Sequence, residues 1–206
     1  MATYLIVGGV AGGAGVAARL RRRDEHAKII IFERGEHISF ANCGLPYYAG
    51  GVIEDRSSLF VMTPELFKRV LDVEARVDSE VVGIDRAKKT ITVRNVKDDT
   101  TYTQAYDHLI LSPGATPIRP PIPGIDHPSI MTLRSVNDID RIKTAVDLSE
   151  TKRAVVIGGG FIGLEMAENL KHRGLEVALV EAQEQVMGVI DYDFAAQVQQ
   201  HMRKKG

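Results

Sequence analysis

The sequence predicts an α/β fold in which two Rossmann-like βαβ units follow one another, with a small antiparallel meander between them. Three observations predict it. Residues 3–33 read as an apolar strand (TYLIV), a glycine-rich turn (GGVAGG), a helix through Arg23 and a second strand (KIIIFE). Residues 152–181 repeat that order with KRAVVI, GGGFIG, a helix through Arg173 and EVALVE. Residues 80–106 instead alternate apolar with polar, broken by turns at Arg86–Lys89 and at DDTT. Near-continuous apolar strands mark a parallel sheet covered by helices on both faces, whereas alternation with tight turns marks hairpins. Two copies of one βαβ unit imply two nucleotide-binding domains in tandem.

The other elements follow in chain order. A short helix is expected over 64–70, with the acidic DVEA segment after it read as structural. HLIL (108–111) is a buried strand returning to the first sheet. Residues 117–128 hold five prolines and form a linker. Residues 135–148 start on a capping serine and keep a helical period, which gives a connector helix. After Glu181 come a loop and an amphipathic helix that opens at Asp191 and Asp193. The domain reading is therefore 1–117 for the first nucleotide domain, 118–150 for linker and connector, and 151–206 for part of a second. A second Rossmann unit ordinarily continues with more strands, so a truncated piece of a longer protein is expected.

Composition narrows the function classes. The chain has 206 residues, 44% apolar and 26% charged, enough for one ordinary domain or two small ones. Its 26 basic and 27 acidic residues sum to a net charge of −1, which offers no general attraction for nucleic acid or an anionic membrane. One cysteine excludes an internal disulfide framework and a multi-cysteine metal site, and the six histidines are scattered. The first eighteen residues are uncharged, but five of them are glycine and Arg19–Arg23 follow at once, which fits neither a signal peptide nor a membrane span. A cytoplasmic protein in a reducing compartment is expected.

The glycine turns carry the first chemistry. Gly158-x-Gly160-x-x-Gly163 follows a strand and opens a helix. The first glycine makes the tight turn, the second admits a pyrophosphate, and the third lets helix pack on strand. Glu181, ending the next strand, can accept from both ribose hydroxyls and repels a 2′-phosphate, which favours NADH over NADPH. In the first turn Gly8 and Gly13 take the outer positions and Val10 the middle one, with Gly9 and Gly12 beside it. Glu33 stands where a ribose acceptor belongs. A lone cysteine is more often a small buried hydrophobe than a nucleophile. Cys43, however, lies in SFANCGLPYY (39–48), just before a helix start that tolerates Pro46, and a helix N-terminus favours thiolate over thiol. With no second cysteine nearby, it could exchange only with an external thiol.

Together, GGVAGG (8–13), FERG (32–35), SFANCGLPYY (39–48), YDHLILSPGATP (106–117) and GGGFIGLEMAENL (158–170) resemble the single-cysteine FAD-dependent pyridine nucleotide-disulfide oxidoreductases, most of all the coenzyme A-disulfide reductases and rhodanese-fused CoA persulfide reductases. The resemblance implies an FAD domain, an inserted NAD(P) domain and a C-terminal dimerisation domain, of which this chain carries the first half, with a homodimer as the full-length assembly. It implies Cys43 as the redox residue. It assigns FAD pyrophosphate to Gly8, Gly9, Ala11 and Gly12, the adenosine ribose to Glu33, and further flavin contacts to Val81, Ser112, Pro113, Gly114 and Arg134. For NAD(P)H it implies Gly158, Gly160, Ile162, Gly163 and Glu181, with Phe161 as an aromatic gate and Glu165 as an acid near the nicotinamide. For CoA, a substrate or a mixed disulfide on Cys43, it implies Gly15, Arg19, Arg22, Ser39 and Asn42. The arginines suit phosphates, and a solvated basic helix face is the alternative. Oxidase and peroxidase members carry a histidine where this chain has Ala11, so disulfide or persulfide reduction is favoured. An NADH oxidase or peroxidase, and a non-catalytic dinucleotide-binding fragment, are the alternatives.

Overall fold

A computed structural model describes residues 1–148 and 150–206. The chain divides into two compact units: Met1–Ala41 with Ser57–Ile118, and Asn42–Arg56 with Arg119–Gly206.

The first unit is built on a parallel sheet. β1 (Thr3–Val7) pairs with β2 (Lys28–Phe32) on one side and with β7 (His108–Leu111) on the other. Alternate side chains of β1 and β2 go to two different cores, which is why both strands read as continuous apolar runs. Ile6, Ile29 and Ile31 pack with Ala14 and Ala17 of α1 (Ala11–Arg23) and with Phe67 of α3 (Pro64–Leu71). Leu5, Ile30 and Phe32 pack with Ile91 and Val93 on the opposite face. Those two belong to the expected meander, an antiparallel sheet of β4 (Ser79–Asp85), β5 (Thr90–Asn95) and β6 (Thr101–Ala105). The DVEA segment does more than connect: β3 (Glu74–Arg76) is a fourth strand, parallel to β2 at the sheet edge.

In the second unit β8 (Arg153–Ile157) and β9 (Glu176–Val180) form a parallel pair, with α5 (Phe161–His172) between them in sequence. Expectation and structure differ here. Val155 and Ile157 are each 65% exposed, so β8 is covered on one face, not two. α5 packs against both strands of the pair. Two further helices pack in this unit: α2 (Leu45–Ala49) contacts α4 (Val136–Asp147) and α5. Ser135 caps α4 as expected, with the Ser135 hydroxyl accepting from the Asp138 N–H and the Asp138 carboxylate accepting from the Ser135 N–H. α6 (Tyr192–Lys205) ends the chain.

The internal repeat extends to individual hydrogen bonds. The N–H of Gly8 donates to the Phe32 carbonyl and that of Gly158 to the Val180 carbonyl, both at 2.8 Å. Gly8 and Gly158 have φ of +94° and +105°. Ser39 donates its N–H to the Gly9 carbonyl, and Met187 donates its own to the Gly159 carbonyl. Ser39 and Met187 are both left-handed, at φ +48° and +52°. Helix and strand close on each other only because two residues lack a side chain. A Cβ on Gly13 would lie 1.8 Å from the Gly8 carbonyl oxygen, and one on Gly163 would lie 1.9 Å from that of Gly158.

Candidate active site

The two glycine turns present equivalent nucleotide cradles, one in each unit. In the first, the Glu33 carboxylate accepts from the N–H of Gly9 at 2.8 Å and of Gly35 at 2.9 Å. In the second, Glu181 accepts from Gly159 at 2.6 Å and Gln183 at 2.8 Å. These N–H groups, first that of Gln183 and then that of Gly159, hold the Glu181 carboxyl below its ordinary pKa. The first intrahelical bonds run from Ala14 to Val10 and from Leu164 to Gly160. The N–H groups of Ala11, Gly12 and Gly13, and of Phe161, Ile162 and Gly163, lie ahead of those bonds, the arrangement that holds an anion. The fit to dinucleotides rests on a further feature: a Cβ on Gly160 would meet nothing within 4 Å, so the turn is open on that side.

Around the first turn the structure gathers Gly8, Gly9, Ala11, Gly12, Glu33 and Ser112. A Cβ on Gly8 would lie 2.0 Å from the Ser112 carbonyl oxygen, and one on Gly12 would lie 3.3 Å from its hydroxyl. Gly114 follows at φ +70°. Val81 lies in the meander, packed against the core that holds Leu5 and Phe32. Gly15, Arg19 and Arg22 form one exposed stripe along α1. Arg21 is spent differently, donating to the carbonyls of Leu71, Asp24, Glu25, Ala27 and Asp72.

Cys43 is exposed and free. It sits in a 3-10 turn, Asn42–Gly44, immediately ahead of α2, which places it just before a helix start as expected. Pro46 lies in the first turn of α2, where its missing N–H costs no intrahelical bond. Within the second unit, Asn42, Cys43, Leu45, Pro46, Leu133, Arg134, Phe161, Ile162 and Glu165 line a cavity of about 280 Å³. Phe161 and Ile162 are 62% and 55% exposed. The Asn42 Oδ1 is buried without a hydrogen-bond partner, an acceptor available to a ligand. The cavity thus joins a thiol, a carboxylate, an arginine and an aromatic ring at the N-terminus of a nucleotide-turn helix.

The sequence model of the pyridine nucleotide-disulphide oxidoreductases matches residues 2–206. The chain belongs to that family.

Among curated relatives, the coenzyme A disulfide reductase of Staphylococcus haemolyticus is 40% identical over 94% of this chain and 43% of its own length. Reduced Bacillus anthracis CoADR-RHD, a solved structure, is 56% identical with a TM-score of 0.94, covering 99% of this chain and 37% of that one. The NAD-dependent persulfide reductase of A. fulgidus is 34% identical with a TM-score of 0.93, covering 99% of this chain and 38% of that one. The chain spans less than half the length of these relatives. FAD and NAD(P)H are the cofactors of this oxidoreductase family, and both cradles fit a dinucleotide. Among the described residues no helix is long and apolar enough to cross a membrane.

Two residues with a structural part in the second unit escaped the sequence. Gly159 supplies the N–H that holds Glu181, and a Cβ on it would lie 2.9 Å from Val186. The signal was available, since Gly9 occupies the same place in the first turn. Asn169, buried in α5 outside the cavity lining, gave no signal of its burial.

Proposed function

We propose that the protein is an FAD-dependent NAD(P)H:disulfide oxidoreductase that reduces CoA disulfide or CoA persulfide through Cys43. The observation that carries this reading is the cavity in which the exposed Cys43 thiol shares walls with Arg134, Phe161 and Glu165. FAD, when bound, supplies two-electron chemistry, accepting a hydride from reduced nicotinamide and returning electrons to sulfur.

Glu33, anchored by two backbone N–H groups, has lone pairs left for an adenosine ribose, and the first N–H groups of α1 suit the pyrophosphate. Glu181 does the same for the nicotinamide dinucleotide and repels a 2′-phosphate, which supports NADH as the donor. Arg19 and Arg22 offer guanidinium forks to CoA phosphates, and the Asn42 Oδ1 can accept from the CoA chain. The Cys43 thiolate attacks a CoA disulfide, forming a mixed disulfide with one CoA and expelling the other as a thiolate, which takes a proton from solvent. Two electrons and a proton then break that mixed disulfide, releasing the second CoA thiol and restoring Cys43. With a persulfide the expelled group is hydrosulfide. A homodimer in the cytoplasm, where a free thiol is stable, completes the reading.

The test is an anaerobic absorbance spectrum of the full protein before and after NADH, followed by CoA thiol release from CoA disulfide. A flavin band that bleaches, with release abolished in Cys43→Ser and the band kept, is the expected result. Turnover retained by Cys43→Ser removes the cysteine from the mechanism. Cys43-dependent oxygen consumption to water without thiol release replaces the reading with an oxidase of the same family.

A further inference from the structure

The short helix α2 is gripped at the end away from Cys43. Asn169, in the last turn of α5, is 2% exposed and the only buried polar side chain of the core among the described residues. Its Nδ2 donates to the Glu165 carbonyl at 2.8 Å. Its Oδ1 lies against Gly50, the residue that ends α2: a Cβ on Gly50 would sit 2.1 Å from that oxygen and 2.8 Å from the Asn169 Cγ. Arg173 adds a strap one turn on, donating to the Ala49 carbonyl at 3.2 Å and to Asp147 at 2.6 Å. A buried amide costs more than an apolar side chain of its size unless it is used. Here it touches the glycine that caps α2, a position with no side chain to hold it off.

We infer that Asn169 is a positioning residue for Cys43: its amide, seated on the bare backbone of Gly50, fixes the spacing of α2 from α5. That spacing holds the thiol in register with Phe161 and Glu165 at the other end of α5. α2 spans only Leu45–Ala49, so it transmits a displacement at Gly50 to the turn that carries Cys43. An ångström of misplacement near reacting atoms is enough to cost rate. The inference rests on Cys43 being the redox thiol.

The experiment uses Gly50→Ala, Asn169→Ala and the double variant in the full protein, with three readouts. These are the pH profile of Cys43 alkylation by iodoacetamide, kcat and KM with NADH and CoA disulfide, and Tm. Each single variant should lower kcat about tenfold, leave KM for NADH close to wild type, and move the midpoint of the alkylation profile. Gly50→Ala should cost less in the Asn169→Ala background than in wild type, because the amide oxygen and Cγ are gone and only the Cβ at 169, 2.8 Å away, is left to strike. Single variants with wild-type kcat and alkylation profile, whatever their Tm, overturn the inference. So do penalties that simply add. If Gly50→Ala does not fold, the alkylation profile of Asn169→Ala decides. Alkylation needs neither flavin nor turnover, so a wild-type protein that fails to reduce CoA disulfide would sink the functional reading while this profile still judged the clasp.

Discussion

At position 160 the second turn has glycine where the first has Val10. A Cβ there would meet nothing within 4 Å, so the fold itself does not demand glycine at 160, whereas Gly13 and Gly163 are demanded by the carbonyls they press on. The acids at the strand ends were legible from spacing alone, and Glu33 and Glu181 are held by matching pairs of N–H donors. Asn169 was not legible: a polar residue in an amphipathic helix reads as surface until α2, distant in sequence, packs on it. Glu181 supports a prediction at this scale. Its carboxyl is held below the ordinary carboxylate range by the Gln183 and Gly159 N–H groups, so it is fully charged near neutral pH. Glu181→Ala removes both the ribose acceptor and the repulsion of a 2′-phosphate. The ratio of kcat/KM for NADH to that for NADPH should fall by about tenfold, as measured by steady-state kinetics with each donor. An unchanged ratio would remove Glu181 from nucleotide selection.

Elements were legible where their signals are local. The glycine turns, the Ser135 capping box and the meander turns declare themselves within a few residues. β3 did not, because Glu74–Arg76 is short and polar and becomes a strand only by pairing with β2. The half-exposed β8 could not be read from composition either, since apolar residues say what could be covered and not what covers it. The ion pair between Asp147, at the end of α4, and Arg173, just past α5, carries a prediction about pH. Asp147 accepts from Arg173 at 2.6 Å and pairs with Lys143 at 3.2 Å, and the Arg173 hydrogen bond leads in holding its carboxyl below the ordinary value. A carboxyl depressed in the folded state stabilises above its unfolded pKa, and that stabilisation is lost as pH falls through the folded value. Asp147→Asn should therefore lower Tm at neutral pH by a degree or two, on the order of a few tenths of a kcal/mol for a part-exposed pair. The gap to wild type should close on acidification below the carboxylate range. A gap that persists at acid pH would mean that packing, not charge, sets the effect.

At the scale of the whole molecule, the repeated βαβ unit was the most legible feature, while the membership of residues 42–56 in the second unit was not, because it depends on packing between α2, α4 and α5. One cradle in each unit means that the two nucleotide functions should be separable by substitution. Gly13 and Gly163 are the matched positions, each pressed against the carbonyl of the first glycine of its own turn. A valine at either must push helix from strand and misdirect the N–H groups that hold the pyrophosphate. Gly13→Val should purify without a flavin band yet still bind NADH, detected by enhancement of nicotinamide fluorescence. Gly163→Val should keep the flavin band and lose its reduction by NADH, with the apparent KM raised by about tenfold or more. Dithionite should still bleach that flavin, which separates a lost donor site from a damaged flavin site. If both variants lose flavin together, the two cradles fold as one cooperative whole, and the division into separately acting nucleotide units fails.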